Sequence, residues 1–251
     1  NLIYMKDNMS LFFKIAFLNV LRNSRRTLIT VLAIVFGCVS LIVFGGFVES
    51  MYQGLRESMI RSNLGHIQIY KKGYSEFGNI DPEKYLLSKT ELQKIFNIVE
   101  TQPGVEFVSE RLNFTGLLSN GLTSLGVFGV GMDADKEALM NSAVTIIEGE
   151  DLFPDDLESA LVGEGLAKGL NVKVGDWMTI LSTTADGAMN AVDINIAGII
   201  STGIKEIDDR TIRGNLPHIQ TLMYTDSVTR AVILLENTED TSAVTNRLNQ
   251  L

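Results

Sequence analysis

The chain has 251 residues, 45% of them hydrophobic, with a formal net charge of −9 at pH 7 and one cysteine. An acidic balance of this size argues against a nucleic-acid partner, which requires a basic face. A lone cysteine excludes a disulfide framework, and a chain this long can bury a sufficient core without one.

Residues 10–23 (SLFFKIAFLNVLRN) are apolar except for Lys14, Asn19, Arg22 and the two end residues. This composition predicts a short helix on the inner membrane surface, with Arg25 and Arg26 at the headgroups where the chain turns into the bilayer. Residues 28–48 (LITVLAIVFGCVSLIVFGGFV) carry no charge. About 20 apolar residues, rising about 1.5 Å each, cross the ~30 Å hydrocarbon layer, so this run predicts a transmembrane helix. A signal peptide fits less well. The run is too long for an h-region, no A-x-A-like site follows it, and 27 residues precede it. Up to residue 48, Lys6, Lys14, Arg22, Arg25 and Arg26 stand against Asp7 alone, leaving +4 there and −13 on the remainder. Cationic flanks stay in the cytoplasm. Residues 1–27 are therefore expected inside and residues 49–251 outside, which in a bacterium means the periplasm or the cell exterior. Within the span, Ala33, Gly37 and Gly45 share a face. They read either as a packing surface for other helices of a larger permease or as ordinary glycine usage. Cys38 reads as a lipid-facing or helix-packing residue.

Residues 49–63 keep helical character through Met51, Leu55 and Met59, with no proline separating them from the span. They predict a rigid stalk that Gly65 ends. Residues 66–70 (HIQIY) alternate as a strand, and 81–87 read as loop. Ser88-Lys-Thr-Glu91 is a capping-box pattern ahead of the periodic Leu92, Ile95, Phe96 and Val99. Gln102-Pro103-Gly104 stops that helix. Strands are expected at 105–118 and 122–131, joined by Asn120-Gly121, a hairpin signal because both residues tolerate positive φ. Residues 133–140 read as a short helix, 160–162 as a strand and 165–170 as one or two helical turns. Strands at 176–182 and 192–200 flank a turn near Asp186-Gly187. Residues 219–223 read as helical and 230–236 (RAVILLE) as a buried strand. Residues 238–251 read as a helix through Val244, Leu248 and Leu251. That helix reaches the last residue without a C-cap, and the chain does not begin with Met. A fragment of a longer protein is expected, with Met5 or Met9 as a candidate start. Two βαβ-like stretches, 66–118 and one including 230–251, flank a middle region of strands. The expectation is a discontinuous subdomain closed by early and late segments, with a β-rich subdomain inserted.

Catalytic equipment is sparse. His66 falls in a strand and His218 follows Pro217 at a helix start, and both read as structural residues. There is no H-E-x-x-H or C-x-x-C spacing for a metal and no G-x-S-x-G elbow. Gly163, Gly165 and Gly169 superficially resemble a phosphate loop but lack its G-K-[ST] ending, so they read as turn and cap glycines. Without a Walker A motif, any nucleotide must be bound by another chain or another domain. The acidic clusters 148–151, 155–158 and 206–209 lack calcium-loop spacing and read as solvated loops. Glu106 and Glu110, evenly spaced on one strand, read as surface charge rather than paired carboxylates. No catalytic, cofactor-binding or metal-binding residue is assigned. An ectoenzyme anchored by one helix is disfavoured because no nucleophile–base pair is visible.

The order of these stretches resembles the permease subunits of lipoprotein-releasing (Lol-type) ABC transporters, within the FtsX-like/MacB-like permease family. The matching segments are LFFKIAFLNVLRNSRRTLITVLAI, GHIQIYKKGY, PGVEFVSERLNFTGLLSNG, GVGMDADKEALM, ALVGEGLAKGLNVKVGDWMTIL, DGAMNAVDINIAGIISTGIKEID and the closing strand–helix. The resemblance implies an α+β fold: a transmembrane helix, then a MacB-like periplasmic core domain with a porter-like α/β subdomain and an inserted β-rich one. It implies four transmembrane helices, of which this chain would hold the first. It also implies a homo- or heterodimer of permease subunits with a separate cytoplasmic ATPase that binds ATP. The cargo would be a lipoprotein handed to a periplasmic carrier. A MacB-type efflux permease is one alternative, although that type carries its ATPase ahead of the first helix. A non-transporting FtsX-like signalling or scaffold subunit is the other. Fold resemblance does not fix the substrate.

Overall fold

The computed structural model describes residues 12, 14–18, 20, 22–78, 80–140 and 144–250. In the expected interfacial segment the described residues 12, 14–18, 20 and 22 are helical, and the rest of 10–21 lies outside the described residues. Helix α1 then runs unbroken over Ser24–Met59. It contains the whole apolar run and most of the expected stalk. Its apolar part has a mean hydropathy of 2.7, and none of its residues is buried. The chain divides into two compact units after Leu55, so the last turn of α1 belongs to the same unit as the sheet described below.

A π-helical turn, Ile60–Leu64, follows α1 and closes on Gly65, whose amide donates to the Ile60 carbonyl at 2.8 Å. Gly65 has φ +64° and ψ −174°, a conformation available essentially to glycine alone. It also lies against the sheet, since a Cβ there would fall 2.3 Å from Val232 Cγ1. The expected stop is therefore real, and it is both conformational and steric.

The second unit continues with β1 (Ile67–Tyr70), α2 (Tyr74–Phe77), α3 (Pro82–Tyr85) and α4 (Lys89–Val99). Residues 81–87 were expected as loop, but Pro82 sits in the first turn of α3, where its fixed φ suits a helix start. The capping box on α4 is complete. Ser88 Oγ accepts from the Glu91 amide, and the Ser88 amide donates to Glu91 Oε2 at 2.9 Å. Strands β2 (Val105–Ser119) and β3 (Ser124–Met132) form the expected hairpin, but with a four-residue loop. Only Gly121 has positive φ there, while Asn120 Oδ1 accepts from the amides of Leu122 and Thr123. An Asx turn has replaced the two-residue turn.

Next come α5 (Ala134–Leu139), β4 (Thr145–Gly149), β5 (Ser159–Gly163), α6 (Glu164–Leu170), β6 (Trp177–Thr183), β7 (Met189–Ser201), α7 (Lys205–Asp208) and β8 (Thr211–Asn215). The chain ends in α8 (Leu216–Met223), β9 (Arg230–Leu235), a 3-10 turn at Thr238–Asp240 and α9 (Thr241–Leu248). Strands β4 and β8 had no alternating apolar signal. β8 (TIRGN) takes its strand form from pairing with β3 and β5.

The nine described strands form one sheet with two distinct regions. In the first, early and late segments meet: β9 lies between β1 and β2, antiparallel to both. The β1–α4–β2 stretch is thus a split βαβ unit with the late strand filling the gap. In the second, β2-β3-β8-β5-β7-β6 pair in a ring, and β6 returns to β2. This closed six-stranded barrel is the middle β-rich region, and closure removes its edges. Strand β2 serves both regions, pairing with β9 through Arg111 and with β6 from Gly116. Helix α8 packs against β2, β3, β6, β7 and β8 with Leu216, Ile219 and Leu222 buried. One core cluster joins the two regions, from Val108 and Val244 to Ile180 and Ile196.

Candidate functional site: the root of the long helix

Two features of the described structure carry no partner of their own kind. One is the surface of α1, where Phe36, Leu41, Ile42 and Phe47 are all at least 64% exposed. An all-round apolar helix with nothing packed on it is at odds with an aqueous surface. The other is the outer face of the barrel. Register places Gly126, Leu117, Leu181 and Ala191 in one cross-strand row, with the pairs Phe128–Thr115 and Thr183–Met189 beside it. None of the eight is charged. Phe128 and Met189 are 60% and 70% exposed.

The polar chemistry lies at the root of α1. Glu57 in the last turns of the helix accepts from the Thr238 hydroxyl. Thr238 Oγ1 lies 2.9 Å from His66 Nε2. His66 Nδ1 accepts from the Leu235 amide at 3.0 Å. That last bond fixes the tautomer: Nδ1 is the acceptor, so a neutral ring carries its proton on Nε2 and donates to Thr238. A relay thus runs from the end of β9 through His66 and Thr238 to the helix. Burial holds His66 below the usual imidazole range; Glu57 and Glu106 act against this, and Arg61 and Arg56 act with it. Glu57 also meets Arg61 one turn on, at 3.8 Å. The open depression here, about 510 Å³, is lined by Glu57, Arg61, Asn237, Thr238 and the acids Glu236, Glu239 and Asp240. It has no apolar lining of the kind that holds a small-molecule substrate.

The other residues singled out from the sequence fall into structural roles. His218 Nε2 bonds the Asp193 carbonyl at 2.8 Å on the surface. Cys38 is exposed on α1, and a Cβ at Gly37 or Gly45 would meet nothing within 4 Å. Gly163 and Gly165 are glycines because α7 crosses them: a Cβ at Gly163 would fall 2.2 Å from the Asp208 carbonyl oxygen. Within the acidic cluster 206–209, the buried Asp208 accepts from Ser201 Oγ, the Thr202 amide and Thr202 Oγ1, fixing the turn after β7. Glu110 is pushed up by burial, and Lys136 opposes this. Among the described residues no three His, Cys, Asp or Glu side chains converge on a metal-sized site.

Sequence reasoning missed the buried ion pair. Arg111, fully buried on β2, donates from Nε and Nη2 to the two carboxylate oxygens of Glu137 on α5, at 2.9 and 2.8 Å. Arg213 on β8 lies near, with Glu137 and Asp151 offsetting the burial that lowers its guanidinium. A small cavity of about 30 Å³ is lined by Arg213, Asp151, Glu137 and apolar neighbours. The available signal was Arg111 itself, in a strand that also carries Val105, Phe107, Val108, Leu112 and Phe114.

Over 96 residues the chain is 30% identical to the lipoprotein-releasing system transmembrane protein LolE of Haemophilus influenzae; the match covers 38% of this chain and 23% of that protein's length. The fold matches the extracellular domain of the noncanonic ABC-type transporter YknZ from Gram-positive bacteria. The TM-score is 0.50 at 10% identity, over 70% of this chain and 86% of that one. The periplasmic region of MacB from Actinobacillus actinomycetemcomitans aligns with a TM-score of 0.49 at 13% identity, over 73% of this chain and 81% of that one. Residues 27–251 match the description of the MacB-like periplasmic core domain, and the chain therefore belongs to that family of ABC-type permease subunits.

Proposed function

We propose that the chain is part of a permease subunit of an ABC transporter that releases lipoproteins from the bacterial inner membrane toward a periplasmic carrier. ATP is hydrolysed by a separate cytoplasmic ATPase subunit, and a second permease subunit completes the complex. Residues 28–48 cross the membrane, residues 1–27 are cytoplasmic and residues 49–251 are periplasmic. The observation that carries this reading is the unbroken helix Ser24–Met59, whose apolar part is long enough to span a bilayer and whose last turn is bonded into the sheet unit through Glu57. A continuous helix carries displacement stiffly, so movement on the membrane side reaches the root relay. The charge asymmetry about the span supports the orientation. The similarity to LolE supports lipoprotein as cargo. The uncharged patch around Leu117, Phe128 and Met189 on the outer face of the barrel supports it as well, since an acylated cargo needs apolar contact.

The test is purification of the full-length protein from membranes, with co-purifying partners identified by mass spectrometry. An ABC ATPase recovered together with acylated lipoproteins supports the reading. A cell-wall hydrolase without lipoproteins overturns it in favour of a signalling subunit. A periplasmic efflux adaptor without lipoproteins overturns it in favour of an efflux permease.

A further inference from the structure

On β1, β9 and β2, Tyr70, Arg230 and Arg111 are cross-strand neighbours in one row. Their side chains therefore share one face of the sheet. The two arginines are both buried, with 0% and 7% of Arg111 and Arg230 exposed. They are not treated alike. Arg111 has the Glu137 carboxylate, bound in the two-pronged geometry that suits a guanidinium. Arg230 makes no ion pair with a carboxylate among the described residues, and its Nε is buried without a hydrogen-bond partner. Its surroundings are aromatic. The Tyr70 ring lies 6.0 Å from its guanidinium carbon, and Tyr70 stacks on Tyr74 with centroids 5.2 Å apart. The Tyr70 hydroxyl donates to Gln68 Oε1 at 2.7 Å, and its oxygen remains for the guanidinium as a neutral acceptor that supplies no counter-charge.

A buried arginine stays charged, and a charge taken out of water needs a counter-charge or a full set of hydrogen bonds. Tyrosine rings offer the first only weakly. The row therefore holds two guanidinium groups against one carboxylate. We propose that Arg230, walled by Tyr70 and Tyr74, is a binding site for a phosphate group, which completes the charge balance by accepting from the guanidinium fork. The planar fork matches two phosphate oxygens at once, and the stacked tyrosines fix its plane. Free phosphate and an anionic phospholipid headgroup share this chemistry. The site does not depend on which cargo the transporter carries.

The experiment is thermal unfolding of the detergent-solubilised full chain, with sodium chloride at matched ionic strength as the reference. One arm adds inorganic phosphate and the other adds short-chain dihexanoyl phosphatidylglycerol. Binding at about ten times Kd raises Tm by roughly 3–5 °C for a domain of this size. A rise in the first arm alone identifies free phosphate as the ligand, and a rise only in the second identifies the headgroup. Arg230→Met removes the charge at similar length. It is expected to abolish the rise while leaving the ligand-free Tm at or above that of the wild type, because an uncompensated buried charge is gone. A residue with only a structural role would instead lower the ligand-free Tm. Arg230→Lys, which keeps the charge and loses the fork, is expected to bind several-fold more weakly. No rise of the wild-type Tm in either arm overturns the proposal, whatever the variants do. So does an equal rise in Arg230→Met.

Discussion

Replacing Gly65 by alanine tests how the long helix is joined to the sheet unit. The backbone there, φ +64° and ψ −174°, costs a side-chain-bearing residue about 1–3 kcal/mol. The new methyl would also lie 2.3 Å from Val232 Cγ1 and 3.1 Å from the Ile233 carbonyl oxygen. Val232 is 1% exposed, so its methyl has nowhere to turn, and overpacking of this kind costs about 1–3 kcal/mol. Together these remove about 2–6 kcal/mol from a domain whose total stability is of order 5–15 kcal/mol. The expected fall in Tm is about 5–20 °C. Two controls separate the contributions. Gly121→Ala meets the strain of φ +84° but nothing within 4 Å, and should cost about 1–2 kcal/mol. Gly45→Ala lies in a regular helix with open space around it and should be neutral or stabilising by up to ~1 kcal/mol. Urea unfolding of the solubilised chain, followed by circular dichroism, ranks the three. A Gly65→Ala variant no less stable than Gly121→Ala would refute the contact with β9.

The root relay predicts a pH dependence. The folded His66 resists protonation because burial lowers it from the ordinary 6.5, whereas the unfolded chain takes up the proton near that value. Its stabilisation is therefore complete above about pH 6.5 and declines as pH falls below it, and Tm measured at pH 7.5 and 5.5 should show a smaller loss in His66→Gln. Glu137→Ala takes the carboxylate from a fully buried Arg111 and should cost about 3–5 kcal/mol in chemical unfolding, whereas removing Glu164 from its exposed pair with Lys168 should leave the unfolding midpoint unchanged. Ser88→Ala breaks the capping box of α4 and should lower stability by about 1 kcal/mol by urea midpoint. Ser58→Pro removes the hydrogen bond to the Gly54 carbonyl and kinks α1 by the root, at a cost of about 3 kcal/mol. On the function proposed above, ATP hydrolysis is expected to persist while cargo release stops. Release at the wild-type rate would argue against the helix as the lever.

Local chemistry was legible wherever a signal is complete within a few residues. The uncharged run 28–48, the Ser88–Glu91 capping box and the stop at Gly65 each depend on neighbours along the chain, and each appears where the sequence places it. The strand pair at 105–131 was also readable, although the side chain of Asn120 chose a longer turn than its dipeptide suggested. Pairing was a different matter. Nothing local in TIRGN announces β8, and the placement of β9 between β1 and β2 depends on residues more than 100 positions apart. Ring closure of the barrel through β6 and β2 is likewise decided by long-range register. The same holds for the polar groups. His66, Thr238 and Glu57 meet only once β9 has docked, and Arg111 finds Glu137 only through the packing of α5 on β2. Sequence alone determined most of the helices, the uncharged run and the strongly patterned strands, because those depend on short-range sterics and apolar periodicity. The tertiary structure decided which buried charges are paired and which, like Arg230, are not, because a counter-charge is a neighbour in space.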